Sequence, residues 1–221
     1  MNIANVMGSG VDGLRNPEAV RAPLERSATL RDGTRVRLDL LGPADRADLL
    51  ACFAGLSRRS RYLRFFSAMD ELPARILDGL LNTDPDRHVA ICARLRNAND
   101  RIESRIVGVA HYFRMDGSPG TAEASVAVVD TLHGRGLGRL LLRAIAAHAR
   151  VNGIAKLRAY ALAENACMRH ILLASRGAIV ERDGPVEVYD IDIGARSAIP
   201  SGSPRVTAEM RVACREIVSP L

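Results

Sequence analysis

Ala122-Glu-Ala-Ser-Val-Ala-Val-Val-Asp130 runs through Thr131-Leu-His-Gly-Arg-Gly-Leu-Gly138 into Arg139-Leu-Leu-Leu-Arg-Ala-Ile-Ala-Ala-His-Ala-Arg150. The reading of this stretch decides the fold. Val126, Val128 and Val129 are β-branched and suit a strand. Gly134, Gly136 and Gly138 allow a tight turn and the close approach of a ligand to the backbone. From Leu137 on, apolar residues fall at Leu137, Leu140, Leu141, Ala144 and Ile145, the spacing of a helix with one buried face. Asn152-Gly153 supplies its stop. The whole reads as strand, glycine loop, helix.

Such a unit binds anions. The first amides of a helix have no intrahelical acceptor, and the helix dipole adds partial positive charge there. Phosphate or diphosphate suits the position. A dinucleotide-binding fingerprint needs a glycine at 139, where Arg stands, and no Gly-Lys-Ser/Thr of a Walker loop is present. The glycine loop by itself is also compatible with a tight connection that binds nothing, the less favoured reading.

Working outward, Met1–Arg26 carries Gly8, Gly10, Gly13, Asn16, Pro17 and Pro23 without periodicity and reads as a tail. It has no apolar run of the kind a signal peptide needs. Thr29–Gly33 is a hairpin or turn signal, Thr34–Leu41 a first strand, Pro43–Ala54 a helix with Pro in its first turn, and Pro73–Leu81 a second short helix. His88–Arg94, Ile106–Phe113 and the strand after Ala122 form an antiparallel meander, with a polar loop at Arg96–Ser104. Lys156–Leu162 is a strand, Glu164–Ala174 a helix, and Ala178–Glu181 and Val186–Ile193 are the last two strands. The fold class is therefore mixed α/β, with a mostly antiparallel sheet flanked by helices. The expected organisation is a tail at 1–27, one domain at 28–193, and a second tail at 194–221. The last of these has linker composition around Pro200 and Pro204 and a possible short helix at Thr207–Ile217.

Composition narrows the classes. The 221 residues carry 31 Lys and Arg against 25 Asp and Glu, a formal charge of +6, and 48% are hydrophobic. That fits a folded domain rather than a disordered chain. The basic surplus is mostly Arg, which suits phosphate-bearing ligands. With four Phe, four Tyr and no Trp, the interleaved aromatics of a single-strand nucleic-acid binder are absent. Cys52, Cys92, Cys167 and Cys214 lack metal spacing, and no His, Cys and carboxylate cluster has it either, so no metal is expected. Scattered thiols point to a cytoplasmic protein. No apolar run approaches membrane-spanning length.

His133-Gly-Arg-Gly-Leu-Gly138 followed by an amphipathic helix resembles the acyl-CoA diphosphate loop of the GNAT superfamily of N-acyltransferases, Gln/Arg-x-x-Gly-x-Gly/Ala. His133 stands where Gln or Arg is usual. The element order from about Ala28 to Ile193 is also that of this superfamily. Within it, the chain resembles the bacterial Pat-type protein lysine acetyltransferases, which acetylate AMP-forming acyl-CoA synthetases. Three stretches carry the likeness: Leu56-Ser…Arg61-Tyr-Leu-Arg-Phe-Phe66, Ala122-Glu123-Ala124, and Asn165-x-x-Met168-Arg169. The first is shared with GNAT domains attached to acyl-CoA synthetases.

The resemblance implies acetyl-CoA as co-substrate and a protein substrate bearing the acceptor lysine, with no nucleic-acid or membrane partner. It implies Glu123 as general base, ten residues before the loop's first position. Val126, Ala127 and Val128 would offer backbone groups to pantetheine, and Gly134, Arg135, Gly136, Leu137, Gly138 and Arg139 would hold the diphosphate. Asn165 suits either a pantetheine contact or the N-cap of its helix. His111 and His148 read as structural, Arg143 as solvated. Many relatives have Tyr before the glycine where Ser175-Arg176-Gly177 stands here, so a tyrosine acid for the leaving thiolate is not assigned, Tyr160 being the nearest alternative. Acetylation of a small amine, and a non-catalytic acyl-CoA sensor, are the alternatives.

Overall fold

In the computed structural model, the described residues are 27–84, 86–96, 102–118 and 120–194. The expected tail helix at 207–217 lies outside them. Eight strands form one sheet in the order β1-β2-β3-β4-β5-β6-β8-β7. They are β1 (Ser27–Thr29), β2 (Arg35–Leu40), β3 (His88–Arg96), β4 (Ile102–Arg114), β5 (Thr121–Val128), β6 (Lys156–Leu162), β7 (Ala178–Asp183) and β8 (Val186–Asp192). Five α-helices flank it: α1 (Arg46–Ala54), α2 (Arg58–Phe65), α3 (Ala74–Leu81), α4 (Leu137–Val151) and α5 (Ala166–Ala174). The mixed α/β class and the meander β3-β4-β5 are as expected. Several boundaries moved. Ser27–Thr29 is a short edge strand paired with Arg35–Arg37. β4 begins at Ile102 and uses part of the expected loop. Pro43–Asp45 is a 3-10 turn ahead of α1.

Side-chain alternation assigns the faces. A Cβ at Gly108 would sit 2.9 Å from Leu141 Cδ1. Gly108, Ala110 and Tyr112 of β4, with Ala124 and Val126 opposite them on β5, therefore face α4. His111 and Phe113, with Ser125 and Glu123 opposite, face α2. The core lies mainly under α4, where Leu137, Leu141, Ile145 and Ala149 are fully buried on the sheet. Burying each such Leu or Ile contributes about 1.5–3 kcal/mol.

Only one pair of sequence-adjacent strands in this sheet is parallel, β5 with β6, joined across α4. Their pairing is short: Thr121, Ala122 and Glu123 face Lys156, Leu157 and Arg158, and no further pair forms. Past that point β6 stays on β8 through Leu162, and β5 stays on β4 through Val128. The sheet therefore splits between the ends of β5 and β6.

Candidate active site

The split opens a cleft of about 1080 Å³. It is lined from both faces of the sheet, by Glu123, Ser125, His111 and Phe113 on the α2 side and by Leu137, Leu142 and Ile171 on the α4 side. A passage through the sheet results, with a glycine loop at one end and a carboxylate at the other.

At the loop end the backbone is the working surface. Gly134 and Gly136 have φ of +75° and +92°, a region L side chains rarely adopt. Leu140 N–H is bonded to Gly136 O, so the amides of Leu137, Gly138 and Arg139 before it have no acceptor within the helix. The Leu137 side chain is fully buried core. Gly138 serves packing: a Cβ there would lie 3.0 Å from Ile171 Cδ1 of α5. Arg139 is exposed and lines the cleft, whereas Arg135 turns away to pair with Asp32 in the β1–β2 turn. His133 Nε2 donates to Val128 O at 2.8 Å, tying the strand end to the loop.

The free edge of β5 supplies the next polar groups. Val129 N donates to Val107 O at 3.0 Å. With register Ala127↔Val109 and Val126↔Ala110, antiparallel alternation turns the peptide groups of Ala127 toward β4 and those of Val126 and Val128 toward the split. Ala127, expected to offer its backbone, presents its methyl group to the cleft instead. The Val128 carbonyl is engaged by His133, leaving the Val128 N–H and both groups of Val126.

At the other end, Glu123 faces the cleft opposite Phe113. Burial raises its pKa, and the Arg64 guanidinium partly opposes that rise. Arg64 Nη2 lies 2.7 Å from Ser125 Oγ and 2.6 Å from His111 Nε2, and Ser125 Oγ is 2.7 Å from the same ring nitrogen. A guanidinium can only donate. His111 Nε2 must therefore accept, which fixes the neutral tautomer with its proton on Nδ1. Burial, assisted by Arg64 and His88, holds the His111 pKa well below its ordinary value. His88 stacks on Phe113 at 3.8 Å and is pushed by burial down to about 4. His111, expected to be structural, thus belongs to the cleft wall. His148 packs against Tyr112 and bonds Asn152, away from the cleft.

The helical signature around α2 now has a physical account. Ser57 caps α2 by accepting from Ser60 N–H. Arg61 donates to Asp70 O at 2.6 Å and lies over the Phe53 ring, fixing the loop toward α3. Arg64 reaches β4 and β5, Phe65 enters the core, and Phe66 ends the helix at φ +56°. Ser57 N–H also donates to Asp130 Oδ1 at 3.2 Å. Burial works to raise Asp130, but hydrogen bonds from Ser57 and Ser60 outweigh it and hold the carboxyl low, which makes Asp130 a poor base. Glu164 pairs with Arg59 at 3.3 Å.

In the third stretch, Asn165 Oδ1 accepts from Met168 N–H at 3.1 Å. The N-cap reading is therefore realised, and the Asn165 amide NH₂ is not engaged by that bond. Arg169 bonds Glu187 at 2.8 Å, and the Tyr189 hydroxyl donates to the same carboxylate at 2.6 Å, pinning α5 to β8. Tyr160 lines the cleft from β6. Among the described residues no group of His, Cys, Asp and Glu could hold a metal ion, and no helix is long and apolar enough to cross a membrane.

The chain belongs to the GNAT acetyltransferase family, whose profile matches residues 58–172. It is 29% identical over 155 residues to an acetyltransferase of Pseudomonas aeruginosa, spanning 70% of this chain and 81% of that protein. The crystal structure of the GNAT domain of PAT from S. lividans superimposes with a TM-score of 0.69 at 26% identity, covering 75% of this chain and 95% of that domain. A cAMP-binding acyltransferase from Mycobacterium smegmatis shares the fold, with a TM-score of 0.52 at 21% identity; 87% of this chain covers 54% of that one. The protein is thus an acetyltransferase of this family, a relative of the Pat type, using acetyl-CoA and an acceptor substrate.

Proposed function

We propose that the acceptor is a lysine side-chain amine of a protein, with an AMP-forming acyl-CoA synthetase as the protein class, and that Glu123 is the general base. The observation that carries this reading is the position of Glu123: a carboxylate of raised pKa at one end of a through-sheet cleft whose other end is a glycine-built anion site.

In this reading the amides of residues 137–139 and the Arg139 side chain hold the diphosphate. Val126 and Val128 bind pantetheine as an added strand would, bringing the thioester into the split. A lysine attacks only when neutral; from a pKa of about 10.4, deprotonation at pH 7 costs ~4.6 kcal/mol at about 1.36 kcal/mol per unit. Glu123 accepts that proton, directly or through water. The amine nitrogen bonds to the acetyl carbon, the carbon–sulfur bond breaks, and CoA leaves as the thiolate, which takes up a proton from water or from a cleft hydroxyl such as that of Tyr160. The reduced Cys52, Cys92 and Cys167 agree with a cytoplasmic setting.

The test is mass spectrometry of a cell lysate incubated with the protein and labelled acetyl-CoA. Label on synthetase lysines is the expected result. Label confined to small amines would replace the acceptor, and binding without transfer would make the chain an acyl-CoA sensor.

A further inference from the structure

We propose that Gly79 of α3 is a specificity-determining residue for the acceptor: the alkyl stem of the amine-bearing side chain lies against the bare backbone there. The proposal rests on the lysine reading of the acceptor. It adds the surface that selects an unbranched stem of several methylenes.

A glycine inside a helix is destabilising relative to alanine, because it gives up more backbone freedom on folding and packs no side chain. The reasons that hold glycines elsewhere in this fold do not apply at Gly79. It is not among the glycines of positive φ, so the backbone conformation does not require it. A Cβ there would meet nothing within 4 Å, whereas at Gly108 and Gly138 a Cβ would lie 2.9 and 3.0 Å from a packed side chain. The C-cap of α3 is Asn82, so Gly79 does not end the helix either. Yet Gly79 lines the cleft. A bare backbone at a cleft wall, with open space before it, admits a ligand closer than a side chain would allow.

The place of α3 says which ligand. Arg75, Ile76, Gly79 and Leu80 line the cleft, while Leu77 and Leu81 are buried in the core. At 3.6 residues per turn, Ile76 and Gly79 fall in the middle of that cleft-facing surface. The turn after α3 is bonded to the start of β3, where His88 N–H donates to Asp84 O at 2.6 Å. The His88 ring stacks on Phe113, and Phe113 stands opposite Glu123 on β5. The α3 wall thus belongs to the Glu123 end of the cleft and not to the glycine loop. Ile76, Leu80 and Phe113 make it apolar. An amine that gives its proton to Glu123 trails its carbon stem along this wall, where methylenes leave water. The donor enters from the loop end, and its acetyl carbon goes no further than the split, so the room beside α3 is left to the acceptor.

The test uses the full chain, acetyl-CoA and an Nα-blocked peptide with one lysine, with Gly79→Ala and Gly79→Leu as variants. Gly79→Ala should unfold at higher urea than the unaltered protein, since alanine favours a helix and nothing crowds a Cβ there. Gly79→Leu should raise the KM for the lysine peptide at least tenfold and Gly79→Ala by less, with acetyl-CoA affinity within about twofold by calorimetry. The same peptide with norleucine, which keeps the stem and lacks the amine, should compete with the lysine peptide on the unaltered protein and not on Gly79→Leu. Should Gly79→Leu not fold, Gly79→Ala carries both comparisons. An unchanged KM would overturn the proposal. So would a loss seen with butyryl-CoA and not with acetyl-CoA, which would make the wall an acyl-chain pocket, or a Gly79→Ala protein less stable than the unaltered one, which would make the glycine a need of the fold. No transfer to the lysine peptide by the unaltered protein would overturn the lysine reading and this proposal with it, an outcome distinct from transfer that the variants leave unchanged.

Discussion

The two ends of the cleft are built by different means. At the loop end, peptide groups form the surface, and glycine conformation sets their direction. At the Glu123 end, side chains form it: Arg64 from α2, His111 from β4 and Ser125 from β5 converge within 2.7 Å of one another beside the carboxylate. The first kind of site depends on local backbone shape, the second on strand register and helix placement. The comparison teaches that binding and chemistry should be separable here, since damage at one end changes affinity and damage at the other changes turnover.

The largest effect should come from Gly136→Val. A β-branched residue at φ +92° is strained whatever space surrounds it. The loop must then turn otherwise, and its amides lose their common aim. We expect acetyl-CoA affinity to fall at least a hundredfold by calorimetry while circular dichroism shows a folded protein. Unchanged affinity would break the contrast at its loop end.

Arg64→Gln should act on the other side of it, with a smaller effect. The Arg64 cation works against the burial that raises Glu123, so its removal raises Glu123 further. A base of higher pKa is protonated over a wider pH range, so the rising limb of kcat/KM should move to higher pH. At a fixed pH on that limb, turnover should fall about tenfold per unit moved, with acetyl-CoA affinity retained, and Arg64→Lys should restore much of the profile. An unshifted limb would show that Arg64 has no electrostatic role.

Asn165→Ala should sharpen the comparison by being small at both ends. It removes an N-cap, costing about 1 kcal/mol of stability in urea titration. If acetyl-CoA affinity fell more than a few-fold without that loss of stability, the Asn165 amide would be a ligand contact rather than part of the scaffold.

The same division explains what was legible in the sequence. The strand, loop and helix at 122–150 announce themselves because glycine spacing and helical periodicity are local signals. The mixed sheet follows from turns and alternation, apart from the short β1, which three residues cannot signal. Glu123 is singled out only by the family resemblance, since composition alone reads it as a solvated hairpin carboxylate. Arg64, His111 and Ser125 were not seen as a unit, because positions 64, 111 and 125 meet only through the β4–β5 register and the placement of α2. The peptide direction at Ala127 is likewise a matter of register parity, which alternating residues do not reveal.

The central claim is that Glu123 accepts the proton of the attacking amine. Glu123→Gln keeps size and hydrogen bonding but cannot take that proton. The decisive measurement is the pH profile of acetyl transfer to a lysine acceptor by this variant beside the unaltered enzyme, with acetyl-CoA affinity measured in parallel. The account predicts near-unchanged affinity, turnover lower by ~10²–10⁴, and loss of the rising limb that the unaltered enzyme shows. A variant with full turnover and the same profile would contradict it and leave the proton to another acceptor.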